Sequence, residues 1–246
     1  MINWKNFFYG FILVNVLWLL AAYMMNATVL PMPLLVYRNI GRLFLEHQMW
    51  RHMVYSLFRI FSGIFLSVLF GLIFGLIAAQ SKIGGKILNP FIYFTYPIPK
   101  IALLPAVMLL FGLGEVSKIL MIVLIIVFQM AINVRDGIRS IPDENYYILR
   151  CLGASTWRLF KEVTLPAALS QILSSTRVAL GTAMSILFIT ETFGTRFGMG
   201  FYIMDAWMRI NYIDMYGGIV VLSFVGFVLF LLVDVLESIF LRWQNI

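Results

Sequence analysis

A single lysine, Lys100, follows the triplet Pro97-Ile98-Pro99 in the run NPFIYFTYPIPKIALLPAVMLLFGLG, which also holds Pro90 and Pro105 and has no other charge. Each proline removes a backbone donor and obstructs the preceding turn, so a continuous helix is not expected here. Broken backbone at membrane depth persists only where it is buried in protein or lines a watery cavity, which leaves a passage and a structural kink as the two readings of this segment. A lone ammonium at such depth costs about 2.5 to 3.5 kcal/mol on insertion scales, so it is a functional-site hypothesis by default. Two roles are open to Lys100. It faces a passage and draws an anionic solute, or it pairs with a carboxylate or reaches the interface along its stem. Tyr93, Phe94 and Tyr96 are open in the same way, between lining a passage and packing. Gln129 and Asn133 share a helix face at i, i+4 spacing, where interhelical hydrogen bonding is the default. The candidate passage residues are Tyr96, Pro97, Pro99, Lys100 and Gln129.

Groupings that could do bond chemistry are not found. Gly84-Gly85-Lys86 lacks the earlier glycine and the following Ser or Thr of a phosphate-binding loop, so no ATP site is expected in this chain. His47 and His52 are not at the i, i+4 spacing of a zinc helix, and no second ligand cluster accompanies them; satisfied or interfacial histidines are expected, and no metal. Cys151, the one cysteine, allows no internal disulfide and reads as a small buried residue rather than a nucleophile.

The elements that must position these residues follow from composition. Of 246 residues 62% are hydrophobic and only 12% charged, against roughly 25% charged in soluble domains. Mean hydropathy is +0.94. Apolar runs at Phe7 to Met25, Val54 to Ala79, Ile87 to Leu113, Ile119 to Val134, Gln171 to Thr190 and Met215 to Val233 each approach the roughly 20 residues that cross a bilayer as helix, so about six spans are expected. Backbone groups in lipid must bond internally, and the runs lack the strict alternation of a barrel, so the fold is all-α. The net charge of +7 forms no sustained patch and is read as orientation. Placing both termini inside puts Lys5, Lys82, Lys86, Arg135, Arg139, Arg150, Arg158, Lys161, Arg177 and Arg242 on the cytoplasmic side, with Arg38, Arg42 and Arg51 in the outer connection.

One membrane domain, 1–246, is expected, with a core over about 54–240 and an additional first span over 7–25 that reads as a retained anchor. The stretch 33–50 mixes Leu34, Leu35, Leu43, Phe44 and Trp50 with Arg38, Arg42 and Glu46 after two prolines, and reads as an interfacial helix lying on the membrane. Between spans four and five, residues 135–170 form a polar island. Asp143 is expected to cap a helix that Gly153 ends in a left-handed conformation, and Ser155 to cap a second helix that Pro166 interrupts.

The island resembles the cytoplasmic signature loop of permease subunits in ATP-binding cassette importers, whose pattern is Glu-Ala-Ala, three residues, Gly, nine residues, Ile, one residue, Leu-Pro. Gly153, Val163, Leu165 and Pro166 stand at the matching spacings, and LLPAVMLLFGLGEVSKIL, LGASTWRLFKEVTLPAAL and RVALG are similar to the branch that imports taurine, alkanesulfonates, nitrate and vitamin pyrimidines. Tyr147, Ile148 and Leu149 replace Glu-Ala-Ala. The resemblance implies an ATPase-contacting set of Tyr147, Ile148, Leu149, Arg150, Gly153, Ala154, Ser155, Val163, Leu165 and Pro166. It implies a permease that is not itself an enzyme, working as a homodimer in a bacterial cytoplasmic membrane. The implied partners are a pair of ATPase subunits, which bind the ATP and magnesium, and an external solute-binding protein; the implied cargo is a small organic anion such as a sulfonate. A secondary transporter or channel uncoupled from ATP is the alternative; it predicts acidic relays and related halves with interrupted helices. Arg177 and Glu191, expected at the two ends of the fifth span, match charged positions of this branch and are expected to place the helix and pair internally.

Overall fold

Without water to satisfy it, backbone in a bilayer bonds to itself, and the long apolar runs of this chain fold as helix throughout. The computed structural model describes residues 4–25 and 28–241, and no strand occurs among them. Eleven α-helices follow in order: α1 (Trp4–Met24), α2 (Pro33–Leu45), α3 (Met49–Gln80), α4 (Lys82–Thr95), α5 (Leu104–Phe111), α6 (Glu115–Arg139), α7 (Asp143–Cys151), α8 (Thr156–Leu159), α9 (Leu165–Glu191), α10 (Met199–Met208) and α11 (Tyr212–Phe240). Five continuous helices are long and apolar enough to span, and α4 with α5 makes a sixth crossing if the two count as one. Arg242, one of the expected orientation charges, lies outside the described residues.

Two compact units divide the chain. The first comprises residues 1–56 and 195–225. Here α2 packs one face inward: Val36 and Leu43 are fully buried, and Leu43 closes on Gly217 of α11 so tightly that a Cβ there would stand 2.6 Å from its Cδ1, while Leu34, Leu35 and Leu45 stay exposed. The polar residues of α2 are engaged as well. Asp214, wholly buried in the first turn of α11, accepts from Asn39 Nδ2 at 2.6 Å, Arg42 Nη2 at 3.1 Å and Asn211 Nδ2 at 2.7 Å. Asn211 Oδ1 in turn accepts the Asp214 N–H, a reciprocal cap that starts α11. Desolvation, then the Asp214 carboxylate, hold the Tyr202 phenol on α10 above its ordinary value. His52 is buried with its Nδ1 3.0 Å from the Gly198 carbonyl oxygen, a satisfied structural histidine.

The second unit comprises residues 57–194 and 226–246. Its spine is α3 against α6. Gly63, Ser67, Gly71 and Gly75 recur at four-residue spacing along one face of α3, and Cβ atoms built on the three glycines would stand 2.6, 2.4 and 2.6 Å from Ile122, Met130 and Val134 of α6. Small residues let two backbones approach where no water drives them together. Val134, Ile138, Ala168 and Ile172 continue this packing into α9.

One charged cluster binds the same three helices. Arg59, 1% exposed on α3, donates Nε and Nη2 to Glu115 of α6 at 2.6 and 2.7 Å, and Nη1 to Glu191 of α9 at 2.6 Å. The expected internal pairing of Glu191 is therefore present. Arg177 also pairs internally, with Asp234 and Glu237 of α11. It does not mark a helix end, because the helix begins well before it and the two carboxylates satisfy its charge within the helix pair.

Three substitutions test this packing. Gly71→Ala should lower the unfolding temperature in detergent, at a cost of about 1–3 kcal/mol for overpacking. Gly41→Ala on α2, where a Cβ meets nothing within 4 Å, should raise stability by up to about 1 kcal/mol through helix propensity. Arg59→Leu should cost about 3–5 kcal/mol by leaving buried carboxylate charge behind, and the Arg59→Leu, Glu191→Leu double variant should lose less than the sum of the single losses in a double-mutant cycle.

Candidate functional site: a broken span and an unburied helical hairpin

The interruption is where the prolines place it. The segment Lys82–Thr95 and the segment Lys100–Phe111 are bent by 83° across Pro97 and Pro99, with a single 3-10 turn, Lys100–Leu103, leading into α5. The other two prolines are accommodated: Pro90 lies inside α4, and Pro105 sits in the first turn of α5, where its missing N–H is no loss. Lys100 Nζ, half-buried, donates to the carbonyls of Thr95 at 2.9 Å and Tyr96 at 3.1 Å, so it caps the C-terminal end of α4. The ammonium also lies 4.9 Å from the centroid of Phe128 and 5.6 Å from that of Tyr96. Among the described residues no carboxylate pairs with it.

Against the broken segment opens a cleft of about 780 Å³, walled by α4 and α6. Tyr93, Phe94, Tyr96 and Pro97 line it from the α4 side; Ile132, Arg135 and Arg139 line it from α6. Of the expected passage residues, Tyr96 and Pro97 reach this cleft, while Pro99, Lys100 and Gln129 are not on its wall. Tyr93 and Phe94, for which packing was the other reading, are 77% and 75% exposed and stand in contact with each other at its edge. Gln129 and Asn133 are half-buried, and neither makes a side-chain hydrogen bond among the described residues. The expected bond between helices is therefore not formed, because aliphatic packing fills the neighbouring positions of α6.

The polar island folds as a hairpin with a sharper build than its spacing suggests. Pro142, not Asp143, occupies the cap position of α7; Asp143 and Glu144 lie inside the first turn, where their charges suit the positive end of the helix. At the other end Gly153 has φ of +76°, its N–H bonds to the Arg150 carbonyl at 2.9 Å, and the Ala154 N–H bonds to the Leu149 carbonyl at 3.0 Å. That pair of bonds is the Schellman termination, which needs a left-handed residue at this position. Ser155 Oγ then accepts the Arg158 N–H at 3.4 Å and opens the next helix, as its type suggests.

Pro166 does not end that helix. A π turn, Phe160–Thr164, joins α8 to α9, and helix runs on from Thr156 to Glu191 over 36 residues. A proline inside a helix removes one backbone donor and crowds the preceding turn; the wider π turn relieves both, so the chain bends its hydrogen-bond register instead of breaking. Sequence reasoning also passed over two anchors. Thr164, buried within this turn, contacts Tyr146 Oη of α7 at 3.1 Å and accepts from Gln80 Nε2 at the end of α3 at 3.2 Å. The lone charge of the run Val54 to Ala79, Arg59, was the available signal for the buried cluster, since a charge inside a span carries a partner.

No residue of α7 is buried. Tyr147 and Ile148 are 60% and 61% exposed, Leu152 and Trp157 more so. Leu149 and Ala154 are half-covered, Arg150 is exposed, and Val163, Leu165 and Pro166 pack partly against the hairpin's base. Cys151 is exposed as well, contrary to the expectation of burial, because it lies on the face of α7 away from the Tyr146–Thr164 contact.

Comparison with known proteins agrees with this geometry. A taurine transport system permease protein, TauC, of Escherichia coli is 33% identical over 202 residues, covering 82% of this chain and 74% of its own. A Bacillus subtilis protein named for aliphatic sulfonates transport, SsuC, is 34% identical over 220 residues, 89% of this chain and 80% of its own. Among solved structures, the inward-facing methionine transporter MetNI aligns with a TM-score of 0.68 at 20% identity, over 79% of this chain and 98% of that one. A bacterial alginate transporter solved with its alginate-bound periplasmic protein aligns at 0.64 and 16% identity, over 95% of this chain and 96% of that one. Residues 67–245 match the family described as binding-protein-dependent transport system inner membrane component. With the broken span, the buried charges between helices and the unburied hairpin all inside that range or packed on it, the chain belongs to the family of binding-protein-dependent transport system inner membrane components.

Proposed function

We propose that this chain forms the passage of an ATP-driven importer for a small organic anion of the sulfonate class, in a bacterial cytoplasmic membrane with both termini inside. It is the permease subunit of such a transporter and not an enzyme; hydrolysis belongs to a separate subunit. That subunit holds the ATP and magnesium. Two copies of the permease, two ATPase subunits and an external binding protein make the assembly. The permease names of the relatives, taurine and aliphatic sulfonates, support the anionic cargo.

The observation that carries the mechanism is the unburied α7, whose Tyr147 and Ile148 are exposed, fixed at its end by Gly153 and tied through Tyr146 and Thr164 to a helix that continues without a break into a span. Apolar side chains presented on a rigid short helix dock into a groove of a partner. When the ATPase pair closes on ATP, α7 moves with its groove, and the unbroken Thr156–Glu191 helix carries that displacement into the membrane as a rigid body. Arg150, Leu149, Ala154 and Ser155 border the contact, and Val163, Leu165 and Pro166 form the base that transmits it. The bent α4–α5 segment borders the passage that opens in turn, with Tyr96 and Pro97 on the cleft wall, Pro99 and Lys100 at the bend beside it, and Gln129 on the neighbouring α6. An ion-driven transporter has no use for a hairpin of this build.

Purification of the chain with its natural partners tests the proposal: an ATPase should copurify, and ATP should drive sulfonate uptake into vesicles. Gly153→Val places a β-branched residue at φ +76°, strained by about 1–3 kcal/mol; hydrolysis should then run while uptake falls at least several-fold. Unchanged uptake and unchanged coupling in that variant would speak against α7 as the docking element.

Lys100 separates its two roles by a paired measurement. Lys100→Ala should reduce sulfonate uptake with assembly intact, and Lys100→Arg should restore part of it, if the ammonium serves the passage. Normal uptake with a lower unfolding temperature would leave it only the helix-capping role.

A further inference from the structure

The cleft beside the broken span carries a charge arrangement that anchoring alone does not explain. Arg135 and Arg139 stand one turn apart on α6 and both reach the cleft wall. Arginines that anchor a span at an interface extend into water or toward lipid phosphate, yet the side chain of Arg135 is only 18% exposed. It is held in place: Nε donates to Asp136 at 2.7 Å and Nη1 to Asn89 Oδ1 on α4 at 3.0 Å. Its Nη2 has no acceptor among the described residues. Arg139 Nη2 donates to the Ala78 carbonyl at 3.1 Å. Asp136 offsets part of the charge from the rim, being 57% exposed and off the cleft wall, and no carboxylate lines the cleft. Opposite the guanidiniums stand Tyr93, Phe94 and Tyr96.

We infer that Arg135, oriented by Asn89 and assisted by Arg139, holds the head group of the transported anion at the α6 end of the cleft while the aromatic wall takes its organic tail. The inference rests on the importer reading above and adds its substrate-contacting residues. A guanidinium fork matches the oxygens of a tetrahedral anion such as a sulfonate, whereas an ammonium offers only a point charge. Rings and prolines facing it suit a short apolar chain. Position gives the subsite a further consequence. Arg139 is the last residue of α6 and Asp143 the first of α7, so a bound head group sits where α6 turns toward the docking helix, and movement of α7 alters the grip on the anion. With termini inside, this is the inner end of the passage, where solute is released.

The test uses the permease–ATPase assembly without binding protein, in phosphatidylcholine nanodiscs, with hexanesulfonate as probe and hexanol and hexyltrimethylammonium as controls, read by calorimetric titration. Hexanesulfonate should bind and the two controls should not. Arg135→Gln should weaken binding about tenfold or more, with Arg135→Lys in between. Arg139→Gln should weaken it several-fold, which keeps the test decisive if the Arg135 variants fail to assemble. Nanodiscs containing phosphatidylglycerol should give the same affinity; binding abolished there assigns the guanidiniums to lipid head groups and overturns the inference. Equal affinity in wild type and Arg135→Gln, or no hexanesulfonate binding at all, overturns it too. ATPase copurification and ATP-driven uptake by the same wild-type preparation report on the importer reading separately, so either can fail without the other.

Discussion

A charge inside a span must carry its partner with it, and Arg59 is where this chain meets that constraint. Its guanidinium is desolvated on α3 and is compensated by Glu115 on α6 and Glu191 on α9. The three helices are therefore committed to one another near the ends that hold the short connections 112–114 and 192–198. The glycine face of α3 makes the same commitment along its length, since Gly63, Gly71 and Gly75 leave room only for the backbone and side chains of α6. Polar pairing and close packing act on the same helix pair, and neither would be favourable at a looser separation.

What this frame leaves out is as informative as what it includes. The segment between α3 and α6 in sequence, α4 with α5, is not needed to join them in space. It can therefore bend by 83° at Pro97 and Pro99 without cost to the spine, and its C-terminal carbonyls find Lys100 in place of the next helical turn. A cleft opens beside it, edged by the largely exposed side chains of Tyr93, Phe94 and Tyr96.

At the opposite end of α6 and α9 the chain builds α7, a helix with no buried residue, and makes it stiff. The Schellman bonds at Gly153 fix its end, the Tyr146–Thr164 contact fixes its side, and the π turn at Phe160–Thr164 keeps the helix beyond Pro166 continuous. Exposure of Tyr147, Ile148 and Trp157 on so rigid a mount is a standing cost in water.

The sequence by itself determined the all-helical class, the approximate spans, the interruption at Pro97 and Pro99, the left-handed end at Gly153 and the cap at Ser155, because each depends on local properties: apolar length, a missing donor, a tolerated φ or a short polar side chain. Family membership was legible for the same reason, in spacings along one stretch of chain. Tertiary structure decided whatever depends on residues far apart. Arg59 finding Glu115 and Glu191, Arg177 lying within a helix rather than at its end, α2 packing its apolar face on α11 and Arg135 reaching the cleft are all pairings across long sequence separations. Pro166 shows the boundary between the two: local chemistry says a helix should stop there, and only the π turn, stabilised by packing around Thr164, lets it continue.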